Sequence, residues 1–309
     1  MSNAKVVSVS RRSDIPAFFG EWFMNKIKKG YVDSLNPFNP NYVSRISLRK
    51  EDVICFVFWS KNPKPFIKYL DELDNLGYKY YFQFTLNAYD NDLEINVPSL
   101  DERINTFITL SNRIGKDKVI WRYDPIIIND KYDVSFHIKM FKKMADALSS
   151  YTNKVMISFI DLYKKVIRNV KDIEEINEET QKEIGLQFAN IARNNQLEVN
   201  TCSEKVSLSE FGIKKGKCID DELIRQIILN DDIILKKDLN QRKECGCIES
   251  VDVGVSNTCK HLCLYCYANY SVKTVLNNIK KYDVNSSLLC GKIKEGASIY
   301  YRNGPKAKK

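Results

Sequence analysis

Continuous apolar runs alternate with amphipathic helical stretches along most of this chain. The runs are four to eight residues long and rich in Val, Ile, Phe and Tyr, which is typical of strands buried on both faces. The strands are predicted at residues 6–10, 53–58, 80–86, 118–125, 155–161 and 197–204. Polar residues follow each run directly, so every predicted strand has a polar exit.

The helices between the strands are predicted from their periodicity and their ends. Pro16 opens the first and Gly30 ends it, while Ser99 and Glu102 form a capping box for another. Further helices are predicted at about 63–76, 134–149, 178–194 and 223–229. The Pro- and Asn-rich residues 31–50 are predicted to be a connection without regular structure.

Repeated strand–helix units predict parallel strands joined by helical crossovers. We expect an α/β fold, specifically a (β/α) barrel of the TIM type, full or partial. The alternative is an open, doubly wound sheet. Both architectures place ligand sites at the carboxyl ends of the strands. The sequence has neither a G-x-G-x-x-G nor a Walker loop.

The composition argues against a membrane-spanning, a secreted or a nucleic-acid-binding protein. The 309 residues are 44% hydrophobic and 28% charged, and no apolar run is long enough to span a membrane. The N-terminus has no signal-peptide pattern, and nine cysteines without a secretory context indicate metal or redox chemistry in a reducing, cytoplasmic setting. The net charge of +9 comes from scattered lysines and a basic tail, so nucleic acid is not the expected partner.

Three cysteines near the end of the chain form the strongest motif. Cys259, Cys263 and Cys266 have C-x3-C-x2-C spacing, and thiolates are soft ligands for iron–sulfur clusters or zinc. Zinc would need a fourth ligand, His261 or a distant cysteine. Zinc sites usually pair two knuckles, and the spacing here is asymmetric, so iron–sulfur is favoured.

This loop resembles the cluster loop of the radical S-adenosylmethionine (SAM) superfamily, including Tyr265 before the third cysteine. The resemblance implies a 4Fe-4S cluster with three irons held by cysteine and SAM chelating the fourth. It further implies that an electron, from a flavodoxin- or ferredoxin-type donor, cleaves SAM to a 5′-deoxyadenosyl radical. That radical would abstract hydrogen from a small-molecule substrate.

The position of the loop is unusual, since the superfamily usually carries it near the N-terminus. Residues 250–254 are predicted to form its strand and 268–280 its helix, so the barrel is expected to be circularly permuted. Residues 1–204 would then form most of one barrel domain, 205–290 its Cys-rich part, and 291–309 a basic tail. The 251–254 strand is predicted to lie parallel to and beside the 6–10 strand.

The chain also resembles, over nearly its whole length, a bacterial family of unknown function that carries a radical-SAM-like cysteine cluster at the C-terminus. The shared stretches are residues 10–16, 58–63, 121–125 and 245–247.

The strand exits supply candidates for the remaining roles. SAM binding requires a partner for its carboxylate, acceptors for the ribose and an apolar wall. The predicted cofactor-binding residues are Trp59, Gln83, Thr85, Arg122, Asp124 and Ser158. The predicted catalytic residues are Arg12, Asp14, Lys61, Asp161 and Glu204. Each one taken singly is equally well explained as a structural contact.

The other cysteines suggest a second site. Cys202, Cys218, Cys245 and Cys247 are the full complement for a second four-iron cluster or for zinc, with iron–sulfur favoured. By contrast, Cys55 is interpreted as a buried thiol and His137 as a surface or packing residue. Two alternative functions remain at this stage: a radical SAM enzyme that modifies nucleic acid, and a zinc-binding barrel without radical chemistry.

Overall fold

The structure is a computed structural model that describes residues 4–36, 39 and 41–304. The end of the predicted basic tail, 305–309, and three residues of the Pro- and Asn-rich connection lie outside these ranges. Within them, no helix is both long and apolar enough to cross a bilayer.

The chain alternates between strands and helices, as predicted. The first part contains β1 (Lys5–Val9), α1 (Ile15–Phe18), α2 (Gly20–Lys29), β2 (Tyr31–Leu35), β3 (Tyr42–Ser47), β4 (Val53–Ser60), α3 (Leu70–Asn75), β5 (Tyr80–Thr85), α4 (Leu100–Ile114) and β6 (Val119–Ile126). The second part contains α5 (Val134–Leu148), β7 (Lys154–Phe159), α6 (Lys164–Asn169), α7 (Glu178–Asn194), β8 (Glu198–Thr201), β9 (Lys214–Lys215), α8 (Asp221–Ile228), β10 (Ser250–Asp252), α9 (Val272–Ile279) and β11 (Ser298–Tyr301).

The helix ends agree with the signals in the sequence. Ser99 and Glu102 form the predicted capping box of α4. Gly30 ends α2 with a φ of 82°, a left-handed conformation that glycine adopts without a Cβ penalty. These local signals therefore fix where the crossover connections leave and re-enter the sheet.

Eight strands form one parallel sheet in the order β10-β1-β4-β5-β6-β7-β8-β9. The predicted parallel pairing with helical crossovers is thus confirmed. The predicted neighbour of β1 is also confirmed, because Val7 of β1 pairs with Val251 of β10 in a parallel register. All the strand exits consequently lie along one edge of the sheet.

The predicted barrel is wrong, and with it the circular permutation of a barrel. Closure requires the first and last strands of the sheet to pair, whereas β10 pairs with β1 and β9 with β8. The physical reason lies between β8 and β10. That stretch supplies only a two-residue exposed strand, and most of it packs across a sheet face instead of extending the sheet.

Each face of the sheet packs against a different hydrophobic cluster. Along β4, Phe56 and Phe58 face a large core that includes Phe23 of α2, whereas Cys55 and Val57 belong to a second cluster on the opposite face. This alternation follows from the two-residue period of a strand. The second cluster is completed by residues from 214–249, which we call the cysteine-rich segment.

Residues 31–50, predicted to lack regular structure, form an antiparallel hairpin of β2 and β3. β11 joins β3 in parallel to complete a separate three-stranded sheet. The connection therefore contains two strands that its Asn- and Pro-rich composition did not indicate. Arg45 and Asp33 form an ion pair across it, at 2.8 Å.

Candidate functional site

A cavity of about 470 Å³ opens at the carboxyl ends of the parallel strands. The exits of β1, β4, β6, β7 and β8 line it together with the cysteine loop 259–266. The predicted site residues in its lining are Arg12, Asp14, Trp59, Lys61, Thr85, Arg122, Asp124, Ser158, Asp161, Glu204, Cys202, Cys218, Cys245, Cys247, Cys259, Cys263 and Cys266. Gln83 is the exception. Its buried amide donates to the carbonyl oxygen of Cys218, at 2.7 Å.

The cysteine loop is held in place by the loop that follows β5. The backbone N–H of Leu264 donates to the carbonyl of Leu93 at 2.9 Å, and that of Asn96 donates to the carbonyl of His261 at 3.0 Å. The Asn96 amide also donates to the carbonyl of Lys260, at 2.9 Å. These contacts keep all three thiols of the loop on the cavity wall.

A buried His–Asp pair ties the loop to the exit of β1. His261 Nε2 lies 2.9 Å from Oδ2 of Asp14, and Nδ1 lies 3.2 Å from the carbonyl oxygen of Asn96. Each ring nitrogen already lies at hydrogen-bond distance from a protein oxygen atom, so binding a metal ion would displace one of these contacts. The structure therefore gives no support to His261 as a zinc ligand. Asp14 also accepts from the Ser60 hydroxyl and the Lys61 backbone N–H, each at 2.8 Å.

A second buried carboxylate anchors the aromatic residue of the motif. Glu94 pairs with Lys61 at 2.7 Å and with Arg103 at 3.3 Å, and the hydroxyl of Tyr265 donates to it. Burial alone would raise the pKa of Glu94, but the two cations lower it overall. Sequence reasoning missed Glu94, because it stands in a loop without a motif.

Asp252 of β10 organises the exit of β1. It accepts from the hydroxyls of Ser8 and Ser10 at 2.8 and 2.7 Å and from the backbone N–H of Arg11 at 2.9 Å. Arg12 pairs with it at 3.2 Å. Burial would raise the pKa of this carboxyl, but Arg12 and the hydrogen bonds lower it. No motif in the sequence marks Asp252 for this role, because it stands within a predicted strand.

The arginines in the cavity differ in their partners. Arg12 pairs with Asp252, and the buried Arg122 pairs with Asp124. Arg11 has no carboxylate partner among the described residues. Its guanidinium donates to the Ser250 hydroxyl at 2.9 Å and lies 5.8 Å from the ring centre of Trp59. Arg11, which was not predicted, is therefore the arginine best placed to bind an anionic group.

Two further carboxylates face the cavity. Asp161 forms an exposed ion pair with Arg242, at 2.7 Å. Glu204 accepts from the backbone N–H of Phe159 at 3.0 Å, and burial raises the pKa of Glu204 to about 7. A carboxyl group with that pKa can exchange a proton near neutral pH, as general acid–base catalysis requires.

Two buried polar atoms at the cavity have no hydrogen-bond partner in the described part of the chain. They are Nε1 of Trp59 and Oγ of Ser203, and both residues line the cavity. Buried polar groups are normally paired, because an unpaired one costs about 1–3 kcal/mol. Their position suggests that a polar ligand completes the site.

The remaining four cysteines of the cavity wall are close to one another. The Sγ atoms of Cys202 and Cys218 are 3.0 Å apart. Hydrogen bonds from the thiols of Cys218 and Cys245 lower the pKa of Cys247 to about 2. As the side chains stand in the described residues, no group of three or more His, Cys, Asp or Glu could hold a metal ion.

The two residues interpreted as structural lie away from the cavity. His137 is fully buried, with its ring nitrogens 2.7 Å from the Tyr123 hydroxyl and 2.8 Å from the Ile127 carbonyl oxygen. Cys55 is a fully buried thiol on the face covered by the cysteine-rich segment. Packing roles are thus confirmed for both.

Comparison with known proteins gives one match to a family. The model described as "Domain of unknown function (DUF1848)" matches residues 6–268, well over half of the chain. No curated protein sequence matches significantly. One solved structure with a similar arrangement is a candidate alpha-L-fucosidase from Bacteroides thetaiotaomicron, with 12% identity over 84% of this chain and 91% of that one. Its TM-score of 0.27 is too low to carry an argument.

Proposed function

We propose an activity for this chain, which belongs to the DUF1848 family of proteins of unknown function: it is a radical SAM enzyme acting on a small molecule. The cluster would be a 4Fe-4S cluster held by Cys259, Cys263 and Cys266. When bound, such a cluster supplies the electron that cleaves SAM and so starts hydrogen abstraction from the substrate.

One observation carries the proposal. The three thiols of the C-x3-C-x2-C loop line the same cavity as the acidic and basic side chains of the strand exits. Three thiolates leave one iron of a four-iron cluster without a protein ligand, and that iron would face the cavity. A cavity of about 470 Å³ is within the usual range for small-molecule sites.

The residues present fit a cluster with a polar cofactor beside it. The unpaired Nε1 of Trp59 and Oγ of Ser203 offer hydrogen bonds to a ligand. Arg11 offers a guanidinium to a carboxylate, and guanidinium groups bind carboxylates through two parallel hydrogen bonds. Glu204 can hold or release a proton near neutral pH. The chain therefore has groups to orient a zwitterionic cofactor and to move a substrate proton.

The burial of the loop suits oxygen-sensitive chemistry. Cys263 and Tyr265 are both buried, and the hydroxyl of Tyr265 donates to Glu94. Lys165 donates to the carbonyl of Cys266. All three cysteines line the cavity, and none of them is an exposed residue.

The test is anaerobic reconstitution with iron and sulfide, followed by reduction and measurement of 5′-deoxyadenosine formed from SAM. The wild type should form it. The variant with Cys259, Cys263 and Cys266 all replaced by alanine should form none while retaining its circular dichroism spectrum. Cys290→Ala is the matched control, because this thiol lies outside the cavity and donates to the Asn278 carbonyl. Product from the triple variant, or a wild type that holds zinc alone at this loop, would contradict the proposal.

A further inference from the structure

Four cysteines from three separate segments meet on the cavity wall. Cys202 follows β8, Cys218 follows β9, and Cys245 and Cys247 precede β10. Cys202 Sγ lies 3.0 Å from Cys218 Sγ. Cys218, Cys245 and Cys247 belong to one buried cluster, and Cys202 packs against it. The four side chains are therefore neighbours, although Cys202 and Cys247 stand 45 positions apart in the sequence.

The backbone around these cysteines is built for close approach. A Cβ added to Gly246 would stand 3.1 Å from the Lys217 side chain and 3.5 Å from the Gly216 carbonyl oxygen. The Ile219 backbone N–H donates to the Cys247 sulfur, at 3.4 Å. Hydrogen bonds of this kind orient thiolate ligands in metal sites and support their charge.

A buried cation lies against the group. Arg122 Nη1 donates to the Cys218 sulfur, at 2.8 Å, and the residue is 4% exposed. Several thiolates gathered around one divalent ion carry net negative charge, which is costly to bury without a nearby cation. The guanidinium of Arg122 lies close enough to the cysteines to compensate this negative charge.

We propose that Cys202, Cys218, Cys245 and Cys247 form a tetrathiolate site for a single divalent ion, zinc, separate from the cysteine loop. Four thiolates at about 2.3 Å from zinc in a tetrahedron have sulfur atoms about 3.8 Å apart. A four-iron cluster holds its ligand sulfurs much farther apart, since the edges of the cluster lie between them. The 3.0 Å distance between the sulfur atoms of Cys202 and Cys218 favours the single ion.

The thiols must separate slightly to accept the ion. As the side chains stand, no group of three or more His, Cys, Asp or Glu in the described residues could hold a metal ion, and the 3.0 Å contact is that of a hydrogen bond between thiols. Opening this pair to about 3.8 Å requires a shift of about 0.8 Å, within reach of side-chain rotation. Zinc binding would replace the S–H···S contacts with metal bonds and release the thiol protons.

The position of the site indicates a structural role. The cysteine-rich segment covers one face of the sheet with little regular structure of its own, chiefly the eight-residue α8. A zinc ion would join both ends of this segment to the exit of β8. This inference does not depend on the function proposed above.

The test uses the full chain with Cys259, Cys263 and Cys266 replaced by alanine, so that the cysteine loop cannot contribute metal. Elemental analysis should find about one zinc per chain. Replacement of that zinc by Co²⁺ should give the intense thiolate-to-cobalt absorption of a four-sulfur site. Cys247→Ser in this background should remove the zinc, whereas Cys55→Ala, at a buried thiol outside the group, should keep it.

Three results would overturn the inference: no stoichiometric zinc in the triple variant, zinc retained after Cys247→Ser, or iron with sulfide in place of zinc. If Cys247→Ser does not fold, Cys202→Ser at the half-buried end of the group decides. Its cobalt spectrum should lose part of the thiolate absorption, and an unchanged spectrum would contradict the site. Formation of 5′-deoxyadenosine by the wild type is a separate measurement, so failure of one proposal is distinguishable from failure of the other.

Discussion

His261 Nε2 and Asp14 Oδ2 lie 2.9 Å apart, and both side chains are almost completely buried. The contact joins residues 247 positions apart, and it fixes the cysteine loop against the exit of β1. Asp14 also caps α1, because Oδ1 accepts from the Ala17 backbone N–H at 2.9 Å. One carboxylate thus connects the exit of β1 with the loop that follows β10.

Asp14→Asn should therefore destabilise the protein and loosen the loop. The amide keeps one acceptor oxygen but loses the other, which leaves a buried donor unpaired at a cost of about 1–3 kcal/mol. Urea denaturation should show that loss, and reconstituted iron content should fall with it. Asp130→Asn, at an exposed turn position, is the control and should change neither. Equal stability of the two variants would contradict the anchoring role.

Gly254, which follows β10, lies against Ser10 at the exit of β1. A Cβ at this position would come within 2.5 Å of the Ser10 Cβ and closer still to its hydroxyl. Gly254→Ala should destabilise the protein by about 1–3 kcal/mol, the usual cost of overpacking. The measurement is the free energy of unfolding in urea.

A double variant separates this clash from other causes. Ser10→Gly removes the side chain that the new methyl group would meet, though it also loses the hydrogen bond to Asp252. In that background the further cost of Gly254→Ala should be much smaller. Strictly additive costs would contradict a direct clash between the two positions.

The gathering of polar residues at one edge was predictable, because it follows from local signals. Apolar runs such as 53–58 identify strands, and the helices between them require parallel pairing. Lys61 and Asp124 then lie at the same edge of the sheet, whether the sheet is open or closed into a barrel. The pairing of β10 with β1 was instead expected from the permuted barrel, and it is present although the barrel is not.

The closure of the sheet and the choice of partners were not predictable in this way. Closure depends on whether β9 and β10 meet, and nothing local in either strand decides that. Similarly, Asp252 bonds to Ser8 across 244 positions, and Glu94 pairs with Lys61 and supports Tyr265. Such contacts arise from long-range docking. The loop residues that make them carry no periodicity or motif.

The buried His137 should make stability depend on pH. Burial lowers the pKa of His137 to about 4, from an ordinary value of about 6.5. Between these values the unfolded state binds more protons than the folded one, so stability rises with pH. The contribution is fully present above about pH 6.5 and is lost as pH falls through about 4, amounting to about 3 kcal/mol.

His137→Gln tests this, because glutamine can still bond to the Tyr123 hydroxyl or the Ile127 carbonyl but does not titrate. Urea unfolding at pH 7, 5.5 and 4.5 should give a flatter dependence in the variant than in the wild type. Parallel curves for the two proteins would exclude His137 as the source of the slope.

The last prediction concerns the cation of the cavity that has no carboxylate partner in the described residues. Arg122 was predicted to bind the cofactor and Arg12 to be catalytic, but each already pairs with an aspartate. Arg11 bonds to the neutral hydroxyl of Ser250 and lies near Trp59. Its backbone is fixed by the cysteine loop, because the Tyr267 hydroxyl donates to the Arg11 carbonyl at 2.7 Å.

Under the function proposed above, Arg11→Gln should weaken SAM binding while leaving the fold intact. A hydrogen bond to a charged group contributes about 1.5–3 kcal/mol, which corresponds to an increase in Kd of at least about tenfold. Equilibrium binding of SAM to the reconstituted protein measures this, and Arg193→Gln on the exposed surface of α7 is the matched control. Arg12→Gln should instead lower stability, because it leaves Asp252 buried without its cation. If Arg11→Gln binds SAM as tightly as the control does, the carboxylate is held by another group.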